Sequence, residues 1–203
     1  MKNAKNKPLY IGNSPFRIQE NPVQGSIISR SGVPFYRIAQ VDRMPPFFMS
    51  LVSPDEHWLF IASNGGLSAG WRNEEQALFP YTTDDKIMAS TESVGPKTLI
   101  RIEDSEAVRL WTPFSDRYRG LYTIERHLYK SLWGNELHFE EINHDLGLSF
   151  SYAWRFSSSF GFIRSSTLTR LSSFDPTQSI DLLDGVQGLL PPGISSDMQA
   201  KKK

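Results

Sequence analysis

The chain of 203 residues contains no cysteine. This absence excludes a disulfide framework, a thiolate zinc site and a cysteine nucleophile, and it fits a reducing compartment. The sequence also lacks any run near the roughly 20 apolar residues that a membrane helix needs. No apolar run follows the basic first residues, so no secretory signal is visible. We therefore expect a soluble, cytoplasmic protein with no membrane partner.

Excess charge of either sign is absent as well, because 22 basic and 22 acidic residues cancel at neutral pH. Proteins that bind phosphate backbones carry a basic surface, so nucleic acid is not an expected partner. The sequence has no Gly-x-Ser-x-Gly nucleophile elbow and no phosphate-binding glycine loop. We predict no catalytic residue, no cofactor and no resident metal for this chain.

The residues that are present predict β structure. Aromatic residues make up 12% of the chain, which also contains 14 glycines and 13 prolines. The clearest alternation with period two places five bulky residues on one face, with small or polar residues between them: Leu148, Phe150, Tyr152, Trp154 and Phe156. This pattern is typical of a long strand with one buried face. The sequence therefore predicts a single all-β domain, with this stripe in its core.

Other segments predict hairpins. Residues 98–102 and 107–111 flank a polar connection of hairpin length, and residues 160–163 follow a serine turn as a returning strand. Residues 26–41 and 46–52 are also predicted to be extended. Residues 121–130 fit either a strand or a helix by periodicity, and we favour a strand because a turn signal follows at 133–136. No helix of convincing length is predicted.

The segment from residue 57 to residue 87 combines glycine, amide, cationic, aromatic and acidic residues, a composition typical of a ligand-facing loop. Amides and carboxylates bond to hydroxyl groups in fixed directions, and aromatic rings cover apolar sugar faces. The segment therefore predicts a carbohydrate-binding surface made by Asn64, Trp71, Arg72, Tyr81, Asp84 and Asp85.

Asp84 and Asp85 are the nearest approach to a catalytic carboxylate pair. On an extended strand, neighbouring side chains point to opposite faces, so the two could not share a substrate. We favour a structural role, in which one carboxylate caps a turn or pairs with Arg72.

Two further clusters have both a functional and a structural interpretation. His138, Glu140 and His144, with His127 or Asp145, could hold a metal, or they could form a polar strand edge. Arg117, Arg119 and Arg126, with Asp116 and Glu125, could bind an anion or form cross-strand ion pairs. We favour the structural interpretation of both.

Three blocks carry a family resemblance: residues 63–73 with 79–86, residues 117–126 and residues 182–191. Through them the chain resembles the amino-terminal sandwich domain of cellobiose phosphorylase and related glycoside phosphorylases and hydrolases. The resemblance implies an antiparallel two-sheet supersandwich of the galactose-mutarotase type, incomplete at its C-terminus. It also implies a separate helical (α/α)₆ barrel, which holds the catalytic acid and which this chain lacks.

The expected domain organisation is an N-terminal extension at 1–20, a β-sandwich domain at 21–175, and a linker or start of a continuation with a frayed tail at 176–203. The expected function is a non-catalytic, carbohydrate-associated β-sandwich that positions a sugar-binding cleft of a carbohydrate-active enzyme. Its partners would be an oligosaccharide or sugar phosphate and a helical catalytic domain. The alternatives are a free-standing carbohydrate-binding module and a structural β-domain for protein–protein assembly.

Overall fold

The computed structural model describes residues 9–16 and 23–201, which form antiparallel strands and a few short helices. The strands are β1 (Leu9–Ile11), β2 (Ser14–Phe16), β3 (Gln24–Arg30), β4 (Val33–Ala39), β5 (Phe48–Leu51), β6 (His57–Ala62), β7 (Leu67–Trp71), β8 (Ala77–Phe79), β9 (Gly95–Glu103), β10 (Val108–Trp111), β11 (Ile124–Ser131), β12 (Glu136–Asn143), β13 (Leu148–Ser157), β14 (Gly161–Arg170) and β15 (Ser179–Gln187). The α-helices are α1 (Asp84–Ala89) and α2 (Ser196–Lys201). Neither is long and apolar enough to cross a membrane, and the described residues contain no other candidate span.

The strands form three main sheets and the small β1–β2 hairpin. Their orders are β14-β13-β12-β11-β4-β3, β5-β6-β7-β8 and β10-β9-β15. Every pairing is antiparallel, which confirms the predicted antiparallel all-β class. The four strands β11 to β14 follow one another as a meander because their connections are short. Gly134 and Gly147, both with positive φ, make two of these turns at low steric cost.

The core lies between the sheets and includes the alternating stripe of β13. Leu148, Phe150, Tyr152 and Trp154 are all at most 4% exposed, and Phe156 packs at the edge of the same cluster. The six-stranded sheet adds Phe139, whose ring stacks on Tyr152 at 4.8 Å. The other two sheets add apolar residues that are 0–1% exposed: Leu59, Ile61, Ile100 and Ile102. The prediction that the stripe forms core is confirmed.

Several local predictions are also confirmed. Residues 121–130 lead into strand β11 rather than a helix, and β11 pairs with β12 through the predicted turn. The hairpin predicted around residues 103–106 is formed by β9 and β10, with Val108 opposite Glu103. The returning strand after the serine turn is β14, which pairs along the whole of β13.

The segment from 57 to 87 differs from the predicted loop, because most of it is regular structure: β6, β7, β8 and α1. The placement of Asp84 and Asp85 on an extended strand was wrong, since these residues begin α1. Thr83 precedes the helix with extended backbone angles, and its carbonyl accepts the first helical hydrogen bond, from Ile87 N at 2.9 Å. Carboxylates in a first helical turn are favoured by the helix dipole. Here the preference of the two carboxylates for a first helical turn outweighs the extended conformation that we predicted for Asp84 and Asp85.

The C-terminal segment is more ordered than a linker. Residues 179–187, which we assigned to a linker or to the start of a continuation, form β15 and pair with β9 over nine positions. Beyond β15 the chain returns to the four-stranded sheet, where Leu190 N donates to Leu78 O at 2.9 Å. Gln199 in α2 is buried and accepts a hydrogen bond from Tyr81 N at 3.0 Å. At the other end, the predicted extension 1–20 contains the β1–β2 hairpin, and its remaining residues lie outside the described ranges.

Candidate functional site

The six residues predicted to bind carbohydrate lie in separate places. Asn64 lines a pocket of about 250 Å³, whereas Tyr81 lines a different cleft of about 560 Å³. Trp71 and Arg72 lie together at the end of β7, and Asp84 and Asp85 are exposed at the start of α1. Among these residues, only Trp71 and Arg72 are in direct contact through a recorded side-chain interaction.

Trp71 and Arg72 form a surface cluster with Glu56. The Arg72 guanidinium lies 4.0 Å from the centre of the Trp71 ring, and its Nε donates to Glu56 Oε2 at 2.7 Å. Arg72 therefore pairs with Glu56, whereas one of the two alternatives that we predicted was a pair between Arg72 and an aspartate of the 84–85 pair. Asp85 accepts a hydrogen bond from the Thr83 hydroxyl, which lowers the pKa of Asp85.

Tyr81 ends a row of aromatic rings along the four-stranded sheet. Its ring meets Trp58 edge to face at 5.4 Å, Trp58 lies 5.5 Å from Phe60, and Phe60 lies 5.6 Å from Phe48. Tyr81 and Phe48 are exposed at the two ends of the row. The row gives Tyr81 a packing role within this sheet.

The pocket that contains Asn64, called the Asn64 pocket below, combines polar and apolar walls. Its polar residues are Asp42, Ser63, Asn64, Asp116, Arg119, Arg126 and His127. Its apolar residues are Val41, Met44, Pro45, Pro46, Phe114 and Phe139. They come from the connection after β4, the β6–β7 turn, the loop after β10, and strands β11 and β12. Segments far apart in sequence therefore meet at one end of the sheets.

A buried ion pair supports the polar wall. Glu141 is 2% exposed, and its carboxylate accepts hydrogen bonds from Arg126 Nε at 2.7 Å, Trp111 Nε1 at 2.8 Å and Phe114 N at 2.7 Å. Arg126 also donates from Nη1 to Asp116 Oδ1 at 2.8 Å. Buried charges persist when they are paired and hydrogen-bonded in this way. The network fixes both the loop after β10 and the Asp116 carboxylate.

The pKa of Arg126 reflects the same network. Burial by itself lowers the pKa of this guanidinium, but the charge and hydrogen bond of Glu141 and the contact with Asp116 outweigh burial and raise it. Arg126 is therefore a permanently charged structural member of the wall. Glu125, which we predicted as an acidic member of the same cluster, lies near two histidines instead. Its carboxylate is 3.5 Å from His127 Nε2 and 3.2 Å from His144 Nε2.

Asn64 presents an available acceptor. Its Nδ2 donates to the Met88 carbonyl at 2.8 Å, which ties the β6–β7 turn to α1 and fixes the amide orientation. Its Oδ1 is buried and has no hydrogen-bond partner among the described residues. Buried polar atoms are normally paired, so the unpaired Oδ1 of this pocket-lining residue needs an explanation, and a donor group of a ligand is one.

Arg119 provides available donors. Its side chain makes no ion pair with any described residue, and its one recorded hydrogen bond is a long contact of 3.5 Å from Nη2 to Asp42 O. The Asp42 carboxylate accepts a hydrogen bond from Arg126 N at 3.3 Å. Asp116 is half-exposed beside them. The pocket lining therefore contains both hydrogen-bond acceptors and donors.

His127 is a neutral part of the wall. Burial lowers the pKa of its imidazole, and the positive charge of Arg37 lowers it further. Its Nδ1 accepts a hydrogen bond from Gln40 N at 3.2 Å, which places the proton on Nε2. The imidazole is 3% exposed, so it supports the wall from behind.

Two residues with unusual backbone conformations flank the pocket. Phe114 has φ of 63° and Gln40 has φ of 54°, both in the left-handed region that bulky side chains disfavour. The hydrogen bond from Phe114 N to Glu141 holds the first, and the bond from Gln40 N to His127 holds the second. Such strain is concentrated at functional sites in proteins. Here it directs the Phe114 ring into the apolar wall.

The sequence predicted functional roles for some residues of this candidate site but not for others. Asn64 was predicted as a binding residue, and Arg119, Arg126 and Asp116 as a possible anion cluster, but the two groups were not connected. Asp42 was missed, although a polar Asp-Arg pair before Met-Pro-Pro is a local loop signal. The orientation of Phe114 depends on a backbone angle that composition does not encode.

The candidate metal residues do not converge. His138 Nε2 lies 2.7 Å from Glu136, Glu140 accepts from the Tyr129 hydroxyl at 2.5 Å, and His144 lies beside Glu125. No group of three or more potential ligands forms a metal cluster in residues 9–16 and 23–201.

Comparison of the chain with protein-family models and with curated proteins gives no match. The fold is that of a mostly β protein with antiparallel sheets of six, four and three strands.

Proposed function

We propose that this chain is a carbohydrate-binding β-sandwich that holds a sugar residue in the Asn64 pocket. We further propose that the chain is the non-catalytic amino-terminal part of a protein similar to glycoside phosphorylases and hydrolases. Its sheets would form a galactose-mutarotase-like supersandwich that packs against a helical catalytic domain. The observation that carries this proposal is that Asn64, with an unpaired Oδ1, and Arg119, with no ion-pair partner among the described residues, line one pocket together with apolar residues.

The chemistry of the pocket suits a sugar ring. Sugar hydroxyls both donate and accept, so they complement a wall with amide and carboxylate acceptors and guanidinium donors. Phe114 and the Pro45–Pro46 pair offer the apolar surface that a pyranose C–H face needs. The pocket is smaller than a typical drug-sized site, which favours a single sugar residue of an oligosaccharide.

The roles of the two carboxylates favour binding over catalysis. Asp42 accepts from the backbone of Arg126, and Asp116 accepts from its guanidinium. Both carboxylates are therefore oriented by the same residue and act as hydrogen-bond acceptors. We assign the chain a binding role.

The test uses isothermal titration of the full chain with cellobiose and longer gluco-oligosaccharides. Arg119→Ala removes the free donors and is expected to weaken binding about tenfold. Arg117→Ala is the matched control, because Arg117 lies in the same loop, is exposed and does not line the pocket. Both variants should unfold at the same temperature as the parent chain.

Absence of binding at millimolar sugar would overturn the proposal. Equal weakening by Arg119→Ala and Arg117→Ala would also contradict it, because a general effect of loop charge would then replace a specific contact.

A structural role in protein assembly is the second candidate, and the C-terminal part of the chain favours it. Leu182, Leu183, Val186 and Leu189 are between 38% and 67% exposed. Apolar groups grouped on a surface often mark docking sites. Leu183→Glu is expected to abolish association with a separately produced helical domain of a glycoside phosphorylase, as measured by analytical ultracentrifugation. Unchanged association would count against this role.

A further inference from the structure

The outer face of the six-stranded sheet carries a further concave region, called the polar groove below. It has a volume of about 540 Å³ and shares no lining residue with the Asn64 pocket. The alternation that buries Leu148, Phe150 and Tyr152 turns the residues between them to this face. The groove is therefore built into the strand pattern and does not depend on loops.

Hydroxyl groups form the floor of the groove. In the register of β13 and β14, Ser149 lies opposite Thr169 and Ser151 lies opposite Thr167, and Ser165 lies opposite Ala153. The side chains of these five Ser and Thr residues make no hydrogen bond to any other residue that the structure describes. They offer donors and acceptors in two adjacent rows, about a strand spacing apart.

The two acidic side chains of the groove already have hydrogen-bond partners within the protein. Glu136 Oε1 lies 2.7 Å from His138 Nε2, and Glu140 Oε2 accepts from the buried Tyr129 hydroxyl at 2.5 Å. Burial and the interaction with Glu140 raise the pKa of Tyr129 to about 12, so this phenol keeps its proton and remains a donor. Both carboxylates are thus committed to neighbouring side chains.

The two arginines of the groove, by contrast, have no carboxylate partner among the described residues. Arg30 and Arg155 both line it, and neither forms an ion pair with a residue in the described ranges. Arg155 lies opposite Glu136 in the strand register, but that carboxylate is bonded to His138 instead. Arg30 lies 4.2 Å above the Tyr129 ring and places Nη1 3.4 Å from His138 Nδ1.

His138 separates the carboxylate from the guanidinium. Burial lowers the pKa of His138 despite Glu136, which keeps the ring neutral at pH 7. With Nε2 donating to Glu136, Nδ1 is the acceptor that faces Arg30. The negative charge of Glu136 is therefore held on one side of the ring, and the guanidinium of Arg30 is left without a carboxylate partner.

We propose that the polar groove binds an acidic saccharide, with Arg30 and Arg155 holding its carboxylate or phosphate group and the Ser and Thr floor of β13 and β14 holding its hydroxyls. Guanidinium groups match the geometry of both anions, and the floor supplies the groups that a polyol needs. The site is distinct from the Asn64 pocket and does not depend on the function proposed for it.

The first experiment measures binding of D-glucuronate, D-glucose 6-phosphate and D-glucose to the full chain by titration in ¹H–¹⁵N NMR. The acidic sugars are expected to shift amide signals of β13 and β14, to bind at least tenfold more tightly than glucose, and to bind more weakly as salt is added. Comparison of glucuronate with glucose 6-phosphate identifies which anion the groove prefers. Equal binding of glucose, or no shift on these strands, overturns the proposal.

Variants then separate the two parts of the site. Arg155→Gln is expected to weaken binding of the acidic sugar by tenfold or more, whereas Arg117→Gln outside the groove leaves it unchanged. Thr167→Val removes one floor hydroxyl at nearly constant volume and is expected to weaken glucose 6-phosphate but not inorganic phosphate. Phosphate that binds as tightly as glucose 6-phosphate, or an Arg155→Gln protein with parental affinity, would overturn the assignment.

The Asn64 pocket provides the independent control. Arg119→Ala should leave acidic sugar binding in the groove unchanged, even though it weakens binding of gluco-oligosaccharides. If Arg119→Ala abolishes both, there is one site, at the Asn64 pocket, and the groove proposal fails.

Discussion

Arg164 holds both carboxylate oxygens of Asp184, with Nη2 2.7 Å from Oδ1 and Nη1 2.8 Å from Oδ2. This paired contact joins β14 of the six-stranded sheet to β15 of the three-stranded sheet. Thr98 and Ser166 donate their hydroxyls to the same carboxylate at 2.7 and 2.6 Å. Both ionic side chains are largely buried, so their attraction is less screened than that of a surface pair.

The first prediction concerns the removal of this charge. Asp184→Asn leaves Arg164 largely buried without a carboxylate, and the free energy of unfolding is expected to fall by about 3 kcal/mol. The matched control is Asp181→Asn on the same strand, where Asp181 pairs with Arg101 at a surface position that is 71% exposed. That change should cost at most about 1 kcal/mol. Urea denaturation of both variants measures the difference, and equal losses would contradict the role of Asp184.

The second prediction concerns acid. Burial raises the pKa of Asp184, but the hydrogen bonds from Arg164, Ser166 and Thr98 outweigh it and hold the pKa below the ordinary value of 3.8. The folded state therefore binds the proton less well than the unfolded chain. Its contribution to stability is fully present above pH 3.8 and is lost as the pH falls through the lower folded value.

Urea denaturation between pH 2 and pH 6 tests this dependence. The stability of the parent chain should fall more steeply below pH 4 than that of Asp184→Asn. Parallel curves for the two proteins would show that another carboxylate dominates acid unfolding.

The third prediction concerns the contact between the β6–β7 turn and α1. A Cβ atom on Gly66 would lie 2.0 Å from the Ile87 carbonyl oxygen, so Gly66→Ala must displace the helix. We expect a loss of about 1–3 kcal/mol in the free energy of unfolding. Because Asn64 is bonded to Met88 of the same helix, the sugar binding that we propose for the Asn64 pocket should weaken too.

Gly185→Ala is the control for this change. Gly185 lies in β15 and has open space where its Cβ would be, so its substitution should be neutral or slightly stabilising. Thermal unfolding of both variants measures the effect. A Gly66→Ala protein as stable as the parent would mean that α1 does not pack tightly on the turn.

Local patterns predicted much of the fold. The alternation in β13 gave both its strand and its buried face, because period two is a property of a single strand. The turn after residue 132 likewise distinguished a strand from a helix in β11. β15 was not predicted, because Leu182 and Leu183 fit an amphipathic segment of either kind and the deciding interaction is its pairing with β9, about 80 residues away.

The site was less predictable for a related reason. Asn64 was identified from its local composition, but its neighbours Asp42, Asp116 and Arg119 come from other loops and meet it only after the sheets pair. The polar groove was present in the sequence as the serines between the bulky residues of β13. We assigned meaning only to the bulky residues, because polar residues on a strand usually face solvent.

The pairing of β15 with β9 also determines at which residue the chain can be truncated without exposing a strand edge. Ending the chain at residue 175 would remove β15 and open one edge of β9, a strand of nine residues that carries Ile100 and Ile102. It would also leave Arg164 without its carboxylate partner. Unpaired edges of this kind recruit strands from other molecules. A shortened protein that includes residues up to 201 should keep the association state of the full chain, whereas one that stops at 175 should aggregate.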